Sequence, residues 1–419
     1  MSLRAVKGMK DILPDEISKW HRLERSFRER VEGYGFREAR FPIVEPTELF
    51  VRSIGEATDI VEKEMYTFTD RGDKSLTLRP EGTASAVRAY VQHAVQGREP
   101  VTKWYYVGPM YRRERPAKGR YRQFYQAGIE AFGDPGPFLD AEVIDMVVGF
   151  VSSLGISEVE VLVNSIGGPE TRTQYTQALL GYLEPHRDEL CQDCQRRMDV
   201  NPLRVLDCKV PRCAEIAADA PSIPDHLTAD DRAHFEGLQE TLTKLGTPYR
   251  VDGSLVRGLD YYTRTLFEVL GKGEGLGAQN ALLGGGRYDE MVKSLGGSDT
   301  PAIGFAMGLE RLLMAMPSTE DPSTVDVFVV AAQPSVRADA TLLARELRQA
   351  GLQVENDLRG GSLKSQLRRA DKMGARVAMI LGESEVAAAN VQLKDLQEKT
   401  QETVSREDAP ARARAILER

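Results

Sequence analysis

Hydrophobic positions recur at two periods along this chain, and the periods divide it into elements. From Pro14 to Tyr34, Ile17, Trp20, Leu23, Phe27 and Val31 return every three or four residues, which predicts an amphipathic helix. Gly33 and Gly35 stop it. Phe36 to Val44 reads as a strand that runs into Phe41-Pro42-Ile43-Val44-Glu45-Pro46. A long helix followed by a proline-broken strand suits a dimer interface or plain core packing, and the pattern alone does not separate the two. Met65–Asp70 and Ser75–Arg79 read as strands joined by Arg71-Gly72-Asp73. The second strand leads through Pro80-Glu81-Gly82-Thr83 into an Ala-rich helix from Ala84. Leu139 to Leu154 is helical in period, and Val159 to Val163 is strand-like.

The stretch from Trp104 to Gly133 is the most informative. Aromatic, β-prone runs at Trp104–Val107 and Tyr121–Phe132 flank a loop containing Pro116 and Gly119, which predicts an antiparallel hairpin with a long tip. Side chains alternate along a strand, so Phe124, Gln126, Gly128, Glu130 and Phe132 share one face, as do Gly108, Met110 and Arg112 on the incoming strand. An amide and a carboxylate beside a glycine make a floor for a polar ligand, although many antiparallel sheets are simply polar on one side. From Arg112 to Arg122 the loop carries six basic residues and one acid, a cluster that attracts a polyanion.

Further on, the texture changes. Glu170 to about Pro248 is helical, polar and punctuated by prolines, and reads as an insertion between strands of the main sheet. The strand pattern returns at Tyr249–Asp252 and after Arg257-Gly258-Leu259-Asp260-Tyr261-Tyr262. Gly284-Gly285-Gly286-Arg287 offers a backbone able to lie close to a ligand with a basic residue beside it. Pro301 to Leu312 is a short strand passing into a helix, and Arg311 stands in an almost wholly apolar run, where a phosphate would serve as its partner. Proline and serine from Pro317 to Ser323 mark a linker. Beyond it, strands at Val325–Ala331, Leu352–Glu355, Val377–Leu381 and Asn390–Leu393 alternate with helices at Val336–Ala350, Ser362–Met373 and Pro410–Leu417, which predicts a largely parallel sheet. Arg359-Gly360-Gly361-Ser362 opens the second helix and suits either a phosphate or a solvated basic face.

Composition narrows the reading. A chain of 419 residues, 41% hydrophobic and 28% charged, is long enough for two or three domains. The net charge of −8 argues against a protein that coats nucleic acid, so any polyanion site is a local basic patch. No apolar run reaches the ~18 residues of a membrane span, and the N-terminal stretch has no apolar core of a secretory signal; both favour the cytoplasm. All four cysteines lie between Cys191 and Cys213, as Cys191-x2-Cys194, thirteen residues, then Cys208-x4-Cys213. Two such pairs can hold a tetrahedral zinc. Reduced thiols in a surface subdomain are the plain alternative, since the second pair is loosely spaced. At Glu81 and Thr83, helix capping by Thr83 with Glu81 in the first turn competes with a carboxylate that binds an ammonium group.

Taken together, these runs resemble a known family. Pro42 after the long helix, Tyr111-Arg112-Arg113-Glu114 with Arg120 to Phe124, and Gly304 to Arg311 are similar to motifs 1, 2 and 3 of the class II aminoacyl-tRNA synthetases. Leu78-Arg79-Pro80-Glu81-Gly82-Thr83 and Arg257-Gly258-Leu259-Asp260-Tyr261-Tyr262 resemble the signatures of the histidyl-tRNA synthetase family. The resemblance runs nearly end to end. It implies an α/β (α+β) chain: a class II catalytic domain over 1–320, with an antiparallel sheet flanked by helices and interrupted by a mainly helical insertion over 170–248, then an α/β anticodon-binding domain over 325–419. It implies a homodimer whose substrates are L-histidine, ATP with Mg²⁺, and tRNA(His), and whose reaction runs through histidyl-adenylate.

The same resemblance distributes roles. Arg112 holds the α-phosphate and Arg257 bridges that phosphate and the histidine carboxylate; these two are the catalytic pair. Arg120 meets the outer phosphates and Arg311 contacts ATP. Glu81 and Thr83 hold the ammonium group, and Gly82 between them is counted with the histidine-binding residues. Glu130 and Tyr262 meet the two imidazole nitrogens, with Gln126 and Tyr261 alongside. The family does not require the paired cysteines. The regulatory subunit of ATP phosphoribosyltransferase shares the catalytic fold but lacks the anticodon-binding domain and typically loses catalytic arginines; here Arg112, Arg257, Arg311 and the stretch 325–419 all stand.

Overall fold

The computed structural model describes residues 3–56, 58–272, 280–317 and 325–418. Its centre is the hairpin: strands Thr102–Tyr111 and Gln123–Phe132 pair antiparallel, Gly108 facing Gln126 and Met110 facing Phe124. Around it lies an eight-stranded sheet. From one edge the order is Arg37–Glu38, Thr102–Tyr111, Gln123–Phe132, Ala302–Gly308, Ala281–Arg287, Thr263–Gly271, Val159–Ser165 and Arg250–Val251. The six central strands are antiparallel, and the short edge strands join in parallel.

Alternation decides what each face of the sheet does. Tyr105, Ala127, Ile129 and Ala131 enter the main hydrophobic core, which the Pro14–Gly33, Pro137–Ser153, Ala229–Leu245 and Leu309–Ala315 helices cover. The first helix delivers Trp20, Leu23, Phe27 and Val31 to that core, and Phe27 packs edge-on against Tyr105 at 5.9 Å and Phe150 at 5.5 Å. Burying each such side chain is worth about 1.5–3 kcal/mol. The helix starts on Pro14 with Asp15 and Glu16 in its first turn, where acidic groups oppose the helix dipole. The alternate residues, Gln126, Gly128 and Glu130 among them, face the other way, toward the cavity described below.

Several expectations shift. The predicted strand Phe36–Val44 is two short strands, Arg37–Glu38 and Val44–Pro46. The second belongs to a separate sheet with Tyr66–Thr69 and Ser75–Leu78. Pro42 explains the break, since it offers no N–H to a ladder. The Gly284–Gly286 run is a central strand whose Gly284 lines the cavity described below, but the Arg287 beside it is fully buried and faces no ligand. Arg287 Nη1 donates to Asp140 at 2.6 Å and its other nitrogens reach Asp289. It is a structural cation, and Gly285 and Gly286 are glycine because side chains there would strike the neighbouring strands: a Cβ on Gly285 would lie 2.3 Å from the Gly304 carbonyl oxygen. The inserted stretch is helical, with Pro169–Leu183, Gln192–Val200, Pro211–Ala218 and Ala229–Leu245.

The contacts divide the chain into two compact units, Met1–Ser318 and Thr319–Arg419. The linker expected over Pro317–Ser323 lies, past Pro317, outside the described residues. In the second unit three parallel strands, Val354–Asn356, Val327–Ala331 and Val377–Leu381, are extended by two antiparallel ones, Asn390–Asp395 and Gln401–Ser405. The last strand escaped the sequence pattern because Gln401-Glu402-Thr403-Val404-Ser405 carries a single apolar residue, Val404. Helices Arg337–Gln349, Leu363–Lys372 and Ala409–Leu417 complete it. Gly360 and Gly361 donate their N–H groups to Asp357 at 2.7 and 2.9 Å, so an acid already takes the amides at which a phosphate was considered. No helix among the described residues is long and apolar enough to cross a membrane.

Candidate active site

The polar face of the sheet opens into a cavity of about 220 Å³. Glycines make the room. Arg257 lies across Gly284, where a Cβ would come within 2.4 Å of Arg257 Nη1. Glu268 pairs with Gly284 on the next strand, and its carboxylate accepts a hydrogen bond from Arg257. The guanidinium is thereby held in place across two strands, with its charge facing the cavity.

Three more arginines line the same space. Arg112 follows the incoming hairpin strand; its Nε donates to the Pro80 carbonyl at 2.9 Å, and its guanidinium lies 5.3 Å from the Phe124 ring centre. The loop tip closes through paired backbone hydrogen bonds of 3.1 and 2.9 Å between Ala117 and Arg120. Gly119 takes the positive φ of +74° that this tight turn needs. Arg120 stands 3.7 Å from the Glu114 carboxylate. Arg311, in the first turn of the Leu309–Ala315 helix, donates to the Ala281 carbonyl at 3.0 Å. Burial pushes the pKa of Arg311 down, Arg120 pushes it further, and Arg112 and Arg257 add to that repulsion against Glu114. Four cations thus converge on one partly dry space, an arrangement that a polyphosphate neutralises.

The same cavity carries uncharged and acidic polar groups beside the arginines. Glu81 accepts from the N–H groups of Thr83 and Ala84 at 2.7 and 2.8 Å and also lines the cavity. Glu81, not Thr83, thus accepts from the first free amides of the helix Thr83–Gln92 while still facing the cavity. Thr83 Oγ1 instead donates to Glu130 at 2.7 Å. Burial raises the pKa of Glu81 against the pull of those amides and of Arg112. Gln126 and the adjacent rings of Tyr261 and Tyr262, tilted by 51° with centres 4.6 Å apart, complete the wall.

Glu130 and Gly82 stand differently from the rest. The Gly82 N–H is spent on Gln126 Oε1 at 3.1 Å, and the space of its missing Cβ is filled by the Tyr106 ring, so Gly82 supports the wall rather than forming it. Glu130 is fully buried at the base, behind Thr83 and Tyr288. The Tyr288, Thr83 and Tyr106 hydroxyls all donate to it. Gly304, on the cavity wall, lacks the Cβ that would strike the Glu130 carboxylate. Burial pushes Glu130 up to about 8, and Glu81 adds to the shift while the Tyr288 and Thr83 hydroxyls oppose it. Sequence reasoning missed Tyr288 and Glu268. A charged residue within Leu266-Phe267-Glu268-Val269 is the signal that could have found Glu268, because a lone carboxylate in a central strand calls for a cation.

Known proteins agree with this geometry. The profile described as histidyl-tRNA synthetase matches residues 8–312. The chain belongs to the histidyl-tRNA synthetase family. An anticodon binding domain profile matches residues 326–416. The histidine–tRNA ligase of Sorangium cellulosum (strain So ce56) is 55% identical over 419 residues, 100% of this chain and 97% of that protein. That of Syntrophotalea carbinolica (strain DSM 2380 / NBRC 103641 / GraBd1) is 50% identical over 97% of each. The crystal structure of apo S. aureus histidyl-tRNA synthetase superposes with a TM-score of 0.84 at 35% identity, covering 98% of this chain and 99% of that one. A family whose reaction joins histidine, ATP and tRNA fits a cavity lined by four arginines together with carboxylate, amide and phenol groups.

Proposed function

We infer that this chain is a histidine–tRNA ligase that activates L-histidine with ATP in this cavity and then charges tRNA(His). The observation that carries the reading is the convergence of Arg112, Arg120, Arg257 and Arg311 on a space also lined by Glu81, Thr83, Gln126, Tyr261 and Tyr262. A histidine carboxylate oxygen attacks the α-phosphorus of ATP. The new C–O–P bond forms as the bond to the β-phosphate oxygen breaks, and pyrophosphate leaves. Negative charge gathers on the α-phosphate oxygens in the transition state, and cations fixed beforehand stabilise it without reorganising. Arg257, braced by Glu268, reaches both that phosphate and the carboxylate; Arg112 holds the phosphate from the other side. Arg120 and Arg311 take the rest of the nucleotide. Mg²⁺ enters with ATP as part of the substrate, and Glu114, a cavity carboxylate beside Arg120, would help to hold it.

Specificity requires partners for both imidazole nitrogens. Tyr262 meets one and Glu130, at the base behind Gly304, meets the other, with Gln126 and Tyr261 alongside. Glu81 and Thr83 take the ammonium group. In the second step a ribose hydroxyl of the tRNA 3′ end attacks the histidyl carbonyl and AMP leaves.

The Thr319–Arg419 unit binds the anticodon. Arg359, Lys364 and Arg368 are exposed around the start of the Leu363–Lys372 helix, beside Leu358, which is 77% exposed. Cations next to an exposed apolar side chain suit an unpaired RNA loop. The chain works as a homodimer in the cytoplasm: Ile43, Val44 and Phe68, each at least 40% exposed, lie on or beside the small sheet that adjoins Pro42 and offer a partner an apolar surface. The reading is tested by charging tRNA(His) with labelled histidine. Transfer to tRNA(His) and not to other tRNAs is expected; a chain that activates histidine but charges no tRNA contradicts it.

A further inference from the structure

The four cysteines have no part in the reaction above, yet the fold gathers all of them. They are the only cysteines of the chain. Their sulfur atoms lie within 4.8 Å of one another, and Cys194, Cys208 and Cys213 are buried. The two pairs are built alike. Cys191 precedes the Gln192–Val200 helix and Cys194 falls in its first turn; Cys208 precedes the Pro211–Ala218 helix and Cys213 falls within it. Each pair thus presents two sulfurs from a turn entering a helix, and the turns face each other. The Cys191 N–H donates to Cys213 Sγ at 3.2 Å. Such a bond supports a sulfur that carries negative charge.

We propose that Cys191, Cys194, Cys208 and Cys213 form a structural zinc site. Four thiolates at the usual Zn–S distance of about 2.3 Å stand about 3.8 Å apart. Cys191 Sγ and Cys208 Sγ are 4.0 Å apart, so the geometry needs little closure. Four protein sulfurs leave no open position, so the metal is a staple and does no chemistry. Cys194, Cys208 and Cys213 share a buried apolar cluster with Leu190, Met198, Val205 and Ile216, which shields their sulfurs from water.

What the staple holds follows from the loop between the pairs. Asn201 donates to Asp260 at 2.7 Å, and Asp260 belongs to the run that carries Arg257, Tyr261 and Tyr262. Arg197 and Arg204 both reach Asp59 at 3.5 Å, and Arg196 reaches Glu62 at 2.7 Å. Zinc would fix both ends of a segment that braces the back of the active site.

The full-length protein, purified without chelator and desalted, is measured for metals by mass spectrometry and for sulfur coordination by zinc X-ray absorption. About one zinc per chain, with four sulfur neighbours at about 2.3 Å, is expected. Cys208→Ser should lower zinc to under about one per ten chains. Should that variant precipitate, titration of the native chain with a mercurial thiol reagent should release one zinc as the four thiols react. A native chain with under about one zinc per ten chains overturns the proposal. So do iron with visible absorption, and a disulfide between any two of the four in the freshly purified protein.

Discussion

Arg257 shows how much of this site rests on one side chain and the room made for it. It lies in the space a Cβ on Gly284 would take and is anchored by Glu268. Arg257→Ala is expected to lower the single-turnover rate of adenylate formation by about a thousandfold, the scale of one lost oxyanion donor. Histidine affinity measured by calorimetry should change far less; a normal activation rate would reject the assigned role. Glu130→Gln leaves buried hydroxyls and the imidazole with a poorer partner, and is expected to raise the KM for histidine about 10- to 100-fold. Unchanged affinity would remove Glu130 from the histidine site. The same residue makes a pH prediction. Its folded pKa of about 8 lies above the ordinary 4.5, so the folded chain holds the proton more tightly than the unfolded one. Its contribution to stability is complete below about pH 4.5 and is lost as pH rises through about 8. Urea melts across that window should show the native protein losing stability relative to Glu130→Gln as pH rises; a constant difference would mean an ordinary carboxylate. At this scale the sequence was legible where a motif named a residue. It could not show that Glu81 both caps a helix and faces the cavity, because that depends on which way one carboxylate turns.

Elements set those side chains in place. The hairpin was readable because strands alternate with period two, and the alternation placed Phe124 and Gln126 on the cavity face and Ala127 and Ile129 in the core. The Gly284–Arg287 strand was not readable: glycines carry no hydrophobic signal, and the reason for them is the closeness of neighbouring strands at Gly285 and Gly286 and of Arg257 at Gly284. Its Arg287 looked like a ligand group and is a buried ion-pair partner of Asp140, both side chains wholly buried. Breaking such a pair from one side leaves an uncompensated charge, at a cost of about 3–5 kcal/mol. Arg287→Ala should therefore lose about that much stability in denaturant melts. A loss under about 1 kcal/mol would mean that the pair is solvated or dispensable.

At the scale of the whole molecule, periodicity announced two sheet-bearing regions and a helical stretch, because strands and helices differ in period and the inserted helices lack strand runs. The polar strand Gln401–Ser405 and the short Val44–Pro46 strand escaped, being too polar or too brief to carry a pattern. Association is a property no single-chain pattern reports. The exposed apolar side chains of the small sheet favour a homodimer, and Phe68→Asp is expected to weaken it, moving sedimentation toward the monomer at micromolar concentration. Unaltered sedimentation would place the interface elsewhere. The central claim is that the four arginines and the polar groups of a single cavity join histidine to ATP. Exchange of labelled pyrophosphate into ATP, run with each standard amino acid in turn, tests it most directly. Exchange that depends on histidine and on no other amino acid is the predicted result. No exchange from a folded chain that still binds histidine would contradict it, and would leave a histidine-binding protein built on a synthetase fold.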